Sequence, residues 1–359
     1  MSDKDNGHRE TVEMAGAVCP TPLRHHERVV LGHGSGGRMS HDLIQRLFWP
    51  HLGNEVLERG NDAGIVSLPA GRLAISTDSH VVSPLFFPGG DIGRLAVCGT
   101  VNDLAMMGAT PLYLTAGFIL EEGLDLDVLR RVVVSMREAG VDAGIEIAAG
   151  DTKVVQRGKA DGLYINTAGI GLVPPGLRIG GDQAQPGDVV ILSGPIGDHG
   201  IAVLSARGEL GFDAAVDSDV APLNHLVRAM LAASDQIHVL RDPTRGGVAT
   251  TLNEIARQSQ VGIVITETAI PVRPAVQAAS EMLGFDPLYI ANEGKLLALV
   301  AREDADAVLA AMRAAPHGAE AVVIGEVRAT PPRRVLLQTA LGSLRVVDML
   351  AGEMLPRIC

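Results

Sequence analysis

The stretch that decides the fold is STDSHVVSPLFFPGGDIGRLAVCGTVNDLAMMGATP, residues 76–111. An apolar segment, Leu73 to Thr77, leads into it and predicts a strand that ends at its first carboxylate. Asp91 is the expected N-cap of a helix from Ile92 to Met107, and Gly108 is the expected end of that helix. The stretch therefore predicts one strand–helix unit of an α/β fold.

The same alternation of strands and helices continues on both sides of this stretch. Further strands are predicted at 113–118, 145–149, 163–172, 188–192, 237–240, 288–290 and 321–324. A further helix is predicted after Ser40, its expected N-cap, with Leu43, Ile44, Leu47 and Phe48 on one face. Other helices are predicted at 126–136, at 223–232, from the Gly246-Gly247 turn to about residue 258, and at 305–314.

A chain of 359 residues is long for a single core, which favours two domains. Pro174-Pro175-Gly176 interrupts the pattern before the second half begins. We expect four segments: a flexible arm at 1–28, an N-terminal domain at 29–180, a C-terminal α/β domain at 181–345, and a flexible tail at 346–359.

Composition excludes several classes of function. The net charge of −12 and the 3% aromatic content argue against a nucleic-acid or anionic-membrane surface. Three cysteines without metal-finger spacing fit a reducing compartment, and no apolar run is long enough to span a bilayer. We expect a cytoplasmic protein.

Carboxylates recur beside the apolar segments, at Asp62, Asp78, Asp91, Asp103 and Asp151. Any one of them could simply form a turn. Asp103, however, follows Asn102 inside a strongly apolar helix, where a buried carboxylate must be paired or bound to a metal. Sets of carboxylates without sulfur ligands favour Mg²⁺ bridged to phosphate oxygens.

Two glycine-rich turns are suited to phosphate binding, because bare backbone N–H groups can face an anion there. The first turn consists of Gly34, Ser35, Gly36, Gly37 and Arg38, and the second of Asp242, Thr244, Gly246 and Gly247. The first is not a Walker loop, because no Gly-Lys-Ser/Thr closes it, and a single glycine-rich loop is more often only a flexible turn.

Three further residues could carry chemistry. Lys153 follows a predicted strand, and is a phosphate ligand, a proton carrier with a pKa lowered by burial, or a solvated loop lysine. Glu293 is a candidate base. Cys359 ends the chain after Pro356 and Arg357, and is either an incidental thiol or a carrier that reaches another protein and returns.

Eight segments resemble the HypE family of hydrogenase maturation proteins, within the superfamily of aminoimidazole ribonucleotide synthetase and selenophosphate synthetase. They are HGSGGR (33–38), NDAG (61–64), the stretch 76–111, AAGDTKVV (148–155), SGPIGDHG (193–200), RDPTRGG (241–247), ANEGK (291–295) and PRIC (356–359). The terminal PRIC is the segment that separates this family from its relatives.

The resemblance implies a two-domain PurM-like α/β (α+β) fold, whose N-terminal domain forms a β-barrel with a second copy. It implies that HypF loads a carbamoyl group onto Cys359. ATP-dependent dehydration then gives a thiocyanate, and the HypC–HypD complex accepts the cyanide for the iron of [NiFe] hydrogenase.

The resemblance also implies the roles of individual residues. Cys359, Glu293 and Lys153 would be catalytic. Mg²⁺ would bind to Asp62, Asp103 and Asp242. ATP would be bound by Gly34, Ser35, Gly36, Gly37, Arg38, Asp78, Asn102, Asp151, Thr244, Gly246 and Gly247.

Two alternatives stay open at this point. A sister ATP-dependent enzyme, such as selenophosphate synthetase, would need a reactive N-terminal Cys or selenocysteine with a nearby Lys, and Cys19-Pro20-Thr21-Pro22 supplies no such Lys. A non-catalytic ATP-binding scaffold for hydrogenase assembly would keep the glycine-rich turns, but would not need Lys153 or Glu293.

Overall fold

Two β-sheets organise the chain, whose computed structural model describes residues 27–35, 38–59, 66, 68–208, 215–350 and 358. The strands are β1 Arg72–His80, β2 Phe86–Phe87, β3 Gly90–Asp91, β4 Thr110–Glu121, β5 Glu146–Val155, β6 Leu163–Val173, β7 Val189–Leu192, β8 Ile237–Arg241, β9 Gly262–Thr266, β10 Leu297–Val300, β11 Val322–Arg328, β12 Arg334–Gln338 and β13 Leu344–Val347. The first sheet has the order β1-β6-β4-β5 and the second the order β13-β12-β9-β11-β7-β10-β8, while β2 and β3 form a small hairpin.

The helices lie between these strands along the chain. They are α1 Arg38–Leu43, α2 Trp49–Leu52, α3 Ile92–Met106, α4 Leu126–Ala143, α5 Asp198–Arg207, α6 Asn224–Ala233, α7 Gly247–Gln258, α8 Pro274–Leu283 and α9 Ala305–Ala314, with a π-helical turn Ile44–Phe48 between α1 and α2. The alternation of helices with strands confirms the predicted α/β class.

The described residues cover the first sheet on one face only. Its inward residues, such as Leu114 and Phe118 on β4, join a core with α3 and α4. On the opposite face, Ile75 is 75% exposed and Ile119 is 44% exposed. This sheet therefore has an open apolar face, and β1 and β5 are its edge strands.

The second sheet is buried on both faces in its central strands. Along β10, Leu297 and Leu299 belong to the core that includes α7, whereas Ala298 and Val300 belong to the core that includes α6 and α9. A strand that is buried on both faces reads as a continuous apolar run.

Helix α3 joins the two sheets. Asp91 accepts hydrogen bonds from the N–H groups of Gly93 and Arg94, which confirms the predicted cap. The helix packs on β1, β4 and β6, while Ala105 and Met106 at its far end belong to a core of the second sheet. Polar side chains on α3 can therefore contact residues of both halves.

Four local predictions need correction. Ser40 lies inside α1, which begins at Arg38, so it is not an N-cap. Asp78 and Lys153 lie within β1 and β5 and do not follow them, because both strands are longer than their apolar segments. The predicted strand 288–290 is a 3₁₀ turn, Pro287–Tyr289.

The boundaries 29–180 and 181–345 of the two domains stay predictions. Within the residues described, no helix is long and apolar enough to cross a membrane.

Candidate active site

A cluster of carboxylates lies where α3 of the first half meets the end of β8 in the second. Asp103 accepts a hydrogen bond of 2.5 Å from Ser76 Oγ. Burial raises the pKa of the Asp103 carboxyl, and the charge of Asp78 raises it further. Burial, followed by the charge of Asp103, raises the pKa of Asp242 to about 7. Both carboxyls line a cavity of ≈ 480 Å³ together with Ser76 and Thr244.

The second glycine-rich turn closes one side of this cavity and opens α7. Gly246 and Gly247 have φ angles of 77° and 59°, in the left-handed region that favours glycine. A Cβ on Gly247 would stand 2.5 Å from the carbonyl oxygen of Leu288, so the turn must carry glycine there. The Gly247 N–H donates to the Thr244 carbonyl at 2.9 Å and closes the turn, and the start of α7 beside Thr244 presents the positive end of the helix dipole, which favours a phosphate.

Glu293 lies between this cluster and a second cavity of ≈ 570 Å³ lined by Ser218, Asp219 and Lys295. The residue is 4% exposed, and its Oε1 has no hydrogen-bond partner among the described residues. Burial raises the pKa of the Glu293 carboxyl well above its usual range, and the charges of Asp242 and Asp219 raise it further. A buried carboxyl with a raised pKa and a free oxygen is suited to act as a proton acceptor.

The main chain holds Glu293 firmly. Its N–H donates to Asp219 Oδ1 at 3.0 Å, and Lys295 Nζ lies 3.4 Å from Asp219 Oδ2. A Cβ on Gly294 would lie 1.7 Å from the Asp219 carbonyl oxygen, so this close approach depends on glycine. Asn292 donates to the Pro243 carbonyl at 2.9 Å and thereby ties the segment to the glycine-rich turn.

Asn102 supports Glu293 and has no free N–H to offer a nucleotide. It is 2% exposed, and its Nδ2 donates to the carbonyls of Ala221 at 3.0 Å and Glu293 at 3.3 Å. Its Oδ1 accepts from the N–H of Leu223 at 2.8 Å. These bonds bridge the two halves of the chain, and the implied contact of Asn102 with a nucleotide stays a prediction.

The penultimate residue of the chain lies in the interior. Ile358 is 3% exposed and belongs to the core of the first half. Its carbonyl oxygen is 2.7 Å from His199 Nε2, while His199 Nδ1 is 2.8 Å from Ser218 Oγ. Burial lowers the pKa of His199, whose ring also meets Phe87 edge-on at 5.4 Å.

Within a single chain the structure separates Lys153 from Glu293. Lys153 pairs in register with the exposed Ile119, and therefore projects from the open face of the first sheet. Asp78, whose charge acts on Glu293, lies on β1 at the other edge of the sheet, so three strand spacings alone separate it from Lys153 by roughly 14 Å or more. Of the three alternatives for Lys153, a proton carrier buried within its own chain does not match this structure, because the side chain is 65% exposed and Nζ lies 2.8 Å from Asp151 Oδ2. A catalytic or phosphate-binding role of Lys153 stays a prediction.

The described part of the first glycine-rich turn, Gly34 and Ser35, lies next to β5. A Cβ on Gly34 would lie 2.6 Å from the backbone nitrogen of Val154, and Ser35 Oγ donates to the Gly32 carbonyl at 2.8 Å. Several predicted site residues lie outside the described residues: Asp62, Gly36, Gly37, Cys359 and the side chain of Arg38.

No group of three His, Cys, Asp or Glu in the described ranges is poised to hold a metal ion. The carboxyls of Asp78, Asp103 and Asp242 nevertheless interact electrostatically, and two of them have raised pKa values. A cation would relieve this repulsion. The donor set therefore fits a divalent ion bridged to phosphate better than one enclosed by protein alone.

Four residues that the structure brings to the site carry no role in the sequence-based prediction: His199, Ser218, Asp219 and Lys295. Two of them lie in segments that the resemblance already singled out, SGPIGDHG and ANEGK. Ser218 and Asp219 lie in a loop with no periodic pattern, and no signal in the sequence marks them.

Comparison with known proteins covers most of the chain. The family described as "AIR synthase related protein, N-terminal domain" matches residues 60–173, and its C-terminal domain counterpart matches residues 185–337. The carbamoyl dehydratase HypE of Azotobacter vinelandii is 58% identical over 331 residues, which are 92% of this chain and 97% of the relative.

Solved structures agree with this match. The hydrogenase maturation protein HypE in complex with ATP is 53% identical, with a TM-score of 0.89 over 92% of this chain and 99% of that one. A chain of the HypE–HypF complex is 48% identical, with a TM-score of 0.76 over 86% of this chain and 99% of that one. The predicted two-domain fold is thereby confirmed.

Proposed function

Because the chain belongs to the HypE family of carbamoyl dehydratases, we propose that it uses ATP to remove water from a carbamoyl group carried on Cys359. The product is a thiocyanate on the same sulfur, which supplies the cyanide ligand for the iron of [NiFe] hydrogenase.

The observation that carries this proposal is the chain of contacts from Glu293 to the end of the polypeptide. Glu293 N–H donates to Asp219, whose neighbour Ser218 bonds His199, which in turn bonds the Ile358 carbonyl. Residue 359 is joined to that carbonyl carbon by a peptide bond. The proposed base and the proposed carrier thus belong to one bonded network.

The chemistry needs one base and one phosphoryl donor. The carbamoyl oxygen attacks the γ-phosphoryl group of ATP and releases ADP, while the nitrogen loses one proton. The C–O bond then breaks, phosphate leaves with the former carbamoyl oxygen, and the nitrogen loses its second proton as the C≡N bond forms. Glu293 accepts the proton of each step in turn and releases the first before it takes the second; its raised pKa makes it a stronger base than an exposed carboxylate.

ATP and Mg²⁺ would be held at the carboxylate cluster. A relative binds ATP. In this chain, Mg²⁺ would bind Asp103 and Asp242, with Asp62 as the further ligand and Asp78 beside them. The ion would offset the negative charge of the phosphates at this cluster. The phosphates would face the turns that contain Gly34 to Arg38 and Thr244 to Gly247.

The partners follow from the same reaction. A relative forms a complex with HypF, and HypF is our proposed donor of the carbamoyl group. The HypC–HypD complex is the proposed acceptor of the cyanide. The cytoplasm is the proposed compartment, because a sparse, odd number of cysteines suits reducing conditions.

A homodimer is the proposed assembly. In the part of the chain that the structure describes, β1 and β5 are the edge strands of the first sheet, and Ile75 and Ile119 are exposed on its uncovered face. Pairing with a second copy would cover both the unpaired strand edges and the exposed apolar face. It would also bring β5 of one copy, which carries Lys153, towards β1 of the other copy, which carries Asp78. Lys153 could then take part in the reaction at the partner's site. Sedimentation should give a dimer at micromolar concentration and a monomer for Ile75→Lys; a monomeric native chain would refute the assembly.

The dehydration is tested by intact mass spectrometry after incubation with HypF, carbamoyl phosphate and ATP. The native chain should gain a carbamoyl group and then lose one water only when ATP is present, whereas Cys359→Ala should gain nothing. Glu293→Gln should keep the carbamoyl group without losing water, and Glu326→Gln, at a half-buried carboxylate on β11 that pairs with Arg302, should behave as native. If the carbamoyl adduct on the native chain persists in the presence of ATP, the alternative function, a non-catalytic ATP-binding scaffold for hydrogenase assembly, would be favoured.

A further inference from the structure

His199 and Ser218 form a buried site that the dehydration chemistry itself does not use. His199 is fully buried on α5, and Ser218 lies in the loop that precedes α6. A histidine in this position needs partners for both ring nitrogens, since an unpaired buried nitrogen is costly. Both partners are present, and one of them belongs to the tail.

The hydrogen bonds fix the tautomer of this histidine. A carbonyl oxygen can only accept, so His199 Nε2 must carry the proton that it shares with the Ile358 carbonyl at 2.7 Å. Ser218 Oγ accepts from the Val220 N–H at 3.2 Å, which leaves its own hydrogen to donate to His199 Nδ1 at 2.8 Å. Ser218 thereby keeps the donor of His199 directed at the tail.

We propose that the His199–Ser218 pair is a docking site for the tail, which binds the main-chain carbonyl of Ile358 while the surrounding core buries the Ile358 side chain. The site positions residue 359 through the peptide bond to that carbonyl. His199 is a positioning residue and takes no part in proton transfer to the carbamoyl group. The proposed function explains only why the tail should be held at this site. The docking itself requires neither ATP nor a carbamoyl group.

The recognition has two parts of different chemistry. The hydrogen bond from His199 contacts the main-chain carbonyl of residue 358 and does not depend on the side chain there. The burial of Ile358, in a core that includes Phe87 and Val220, demands an apolar side chain of similar size at the penultimate position. One hydrogen bond and one side chain make a contact that can also be released, which a thiol that must visit a partner requires.

The test measures alkylation of Cys359 by iodoacetamide in the full chain, with Cys19 replaced by Ser and without nucleotide. His199→Met keeps the volume but removes the donor, whereas His199→Gln keeps an N–H near the position of Nε2. We expect alkylation about 3- to 10-fold faster in His199→Met and Ser218→Ala, the factor for one lost hydrogen bond, and less than 2-fold faster in His199→Gln. His238→Gln, at a half-buried histidine bonded to Asp188, should match the native rate.

Equal rates in His199→Met and the native chain would overturn the docking site, and so would equal acceleration by Met and Gln. If His199→Met does not fold, Ile358→Asp decides, because the change lies at the chain's end: about tenfold faster alkylation or more supports the site, and an unchanged rate overturns it. If the dehydration assay shows no loss of water but the alkylation rates are as expected, the proposed function is refuted. The docking site is still supported in that case.

Discussion

The carboxylate cluster should lower the stability of the chain in the absence of cation and nucleotide. Asp242 shows this most clearly, because burial and the charge of Asp103 raise its pKa from 3.8 to about 7. A raised folded-state pKa means that this group's contribution to stability is intact below about pH 4 and is lost as the pH rises to about 7. Asp242→Asn removes the charge and should therefore stabilise the chain at pH 8.

The size of the effect follows from the shift. Three pH units correspond to about 4 kcal/mol. Asp242 is only partly buried, and water around an exposed portion screens its charge, so we expect about 1–2 kcal/mol. At about 3 °C for each kcal/mol, the melting temperature should rise by about 3–6 °C.

The assay is thermal unfolding between pH 4 and pH 8 with a chelator present. The gain for Asp242→Asn should be absent at pH 4 and complete at pH 8, while Asp127→Asn, at an exposed carboxylate on α4, should show no such trend. The same Asp242→Asn chain should lose Mg²⁺-dependent ATP binding. A variant that is less stable than native at pH 8, or whose gain does not depend on pH, would contradict the reasoning.

Three further predictions concern the supports of the site. Gly294→Ala should lower the free energy of unfolding by about 3 kcal/mol or more, because its Cβ would stand 1.7 Å from the Asp219 carbonyl oxygen; urea titration measures this, and a change below 1 kcal/mol would be inconsistent with the packing. Asn102→Ala should cost about 3–5 kcal/mol by the same titration, since it leaves the main-chain groups of Ala221, Leu223 and Glu293 in the second half unpaired, whereas a near-neutral result would show that water replaces them. Cys98 should stay unmodified by iodoacetamide at pH 8, because burial raises its pKa to about 12; an adduct on Cys98 in the folded chain, located by peptide mass mapping, would argue against this burial.

The parts of the fold that were predictable from sequence carry local signals. The cap at Asp91, the helix α3 that follows and the turn before α7 all depend on residues within a few positions of each other. Strands β9, β10, β12 and β13 are missing from the prediction. Of these, β9 and β10 are buried on both faces and lack the alternation that reveals a half-exposed strand. The run 288–290 was misassigned for a related reason, since three apolar residues fit a 3₁₀ turn equally well.

The candidate site contains residues that local sequence indicates and others that only the folded structure reveals. Asp103, Asp242 and Glu293 could be chosen by residue type and surroundings, and the structure does bring them together. The face from which Lys153 projects depends on strand register, which its own segment does not reveal. The contact between His199 and Ile358 joins residues 159 positions apart, and only the folded chain makes it visible.

The central claim is that ATP removes the oxygen of a carbamoyl group on Cys359. It is tested most directly by loading the chain with a carbamoyl group labelled with ¹⁸O at its carbonyl oxygen, adding ATP, and determining the isotope in the phosphate released, with Cys359→Ala as the background. The mechanism predicts one ¹⁸O in the inorganic phosphate for each thiocyanate formed. Unlabelled phosphate, with the label retained on the protein or lost to water, would contradict it.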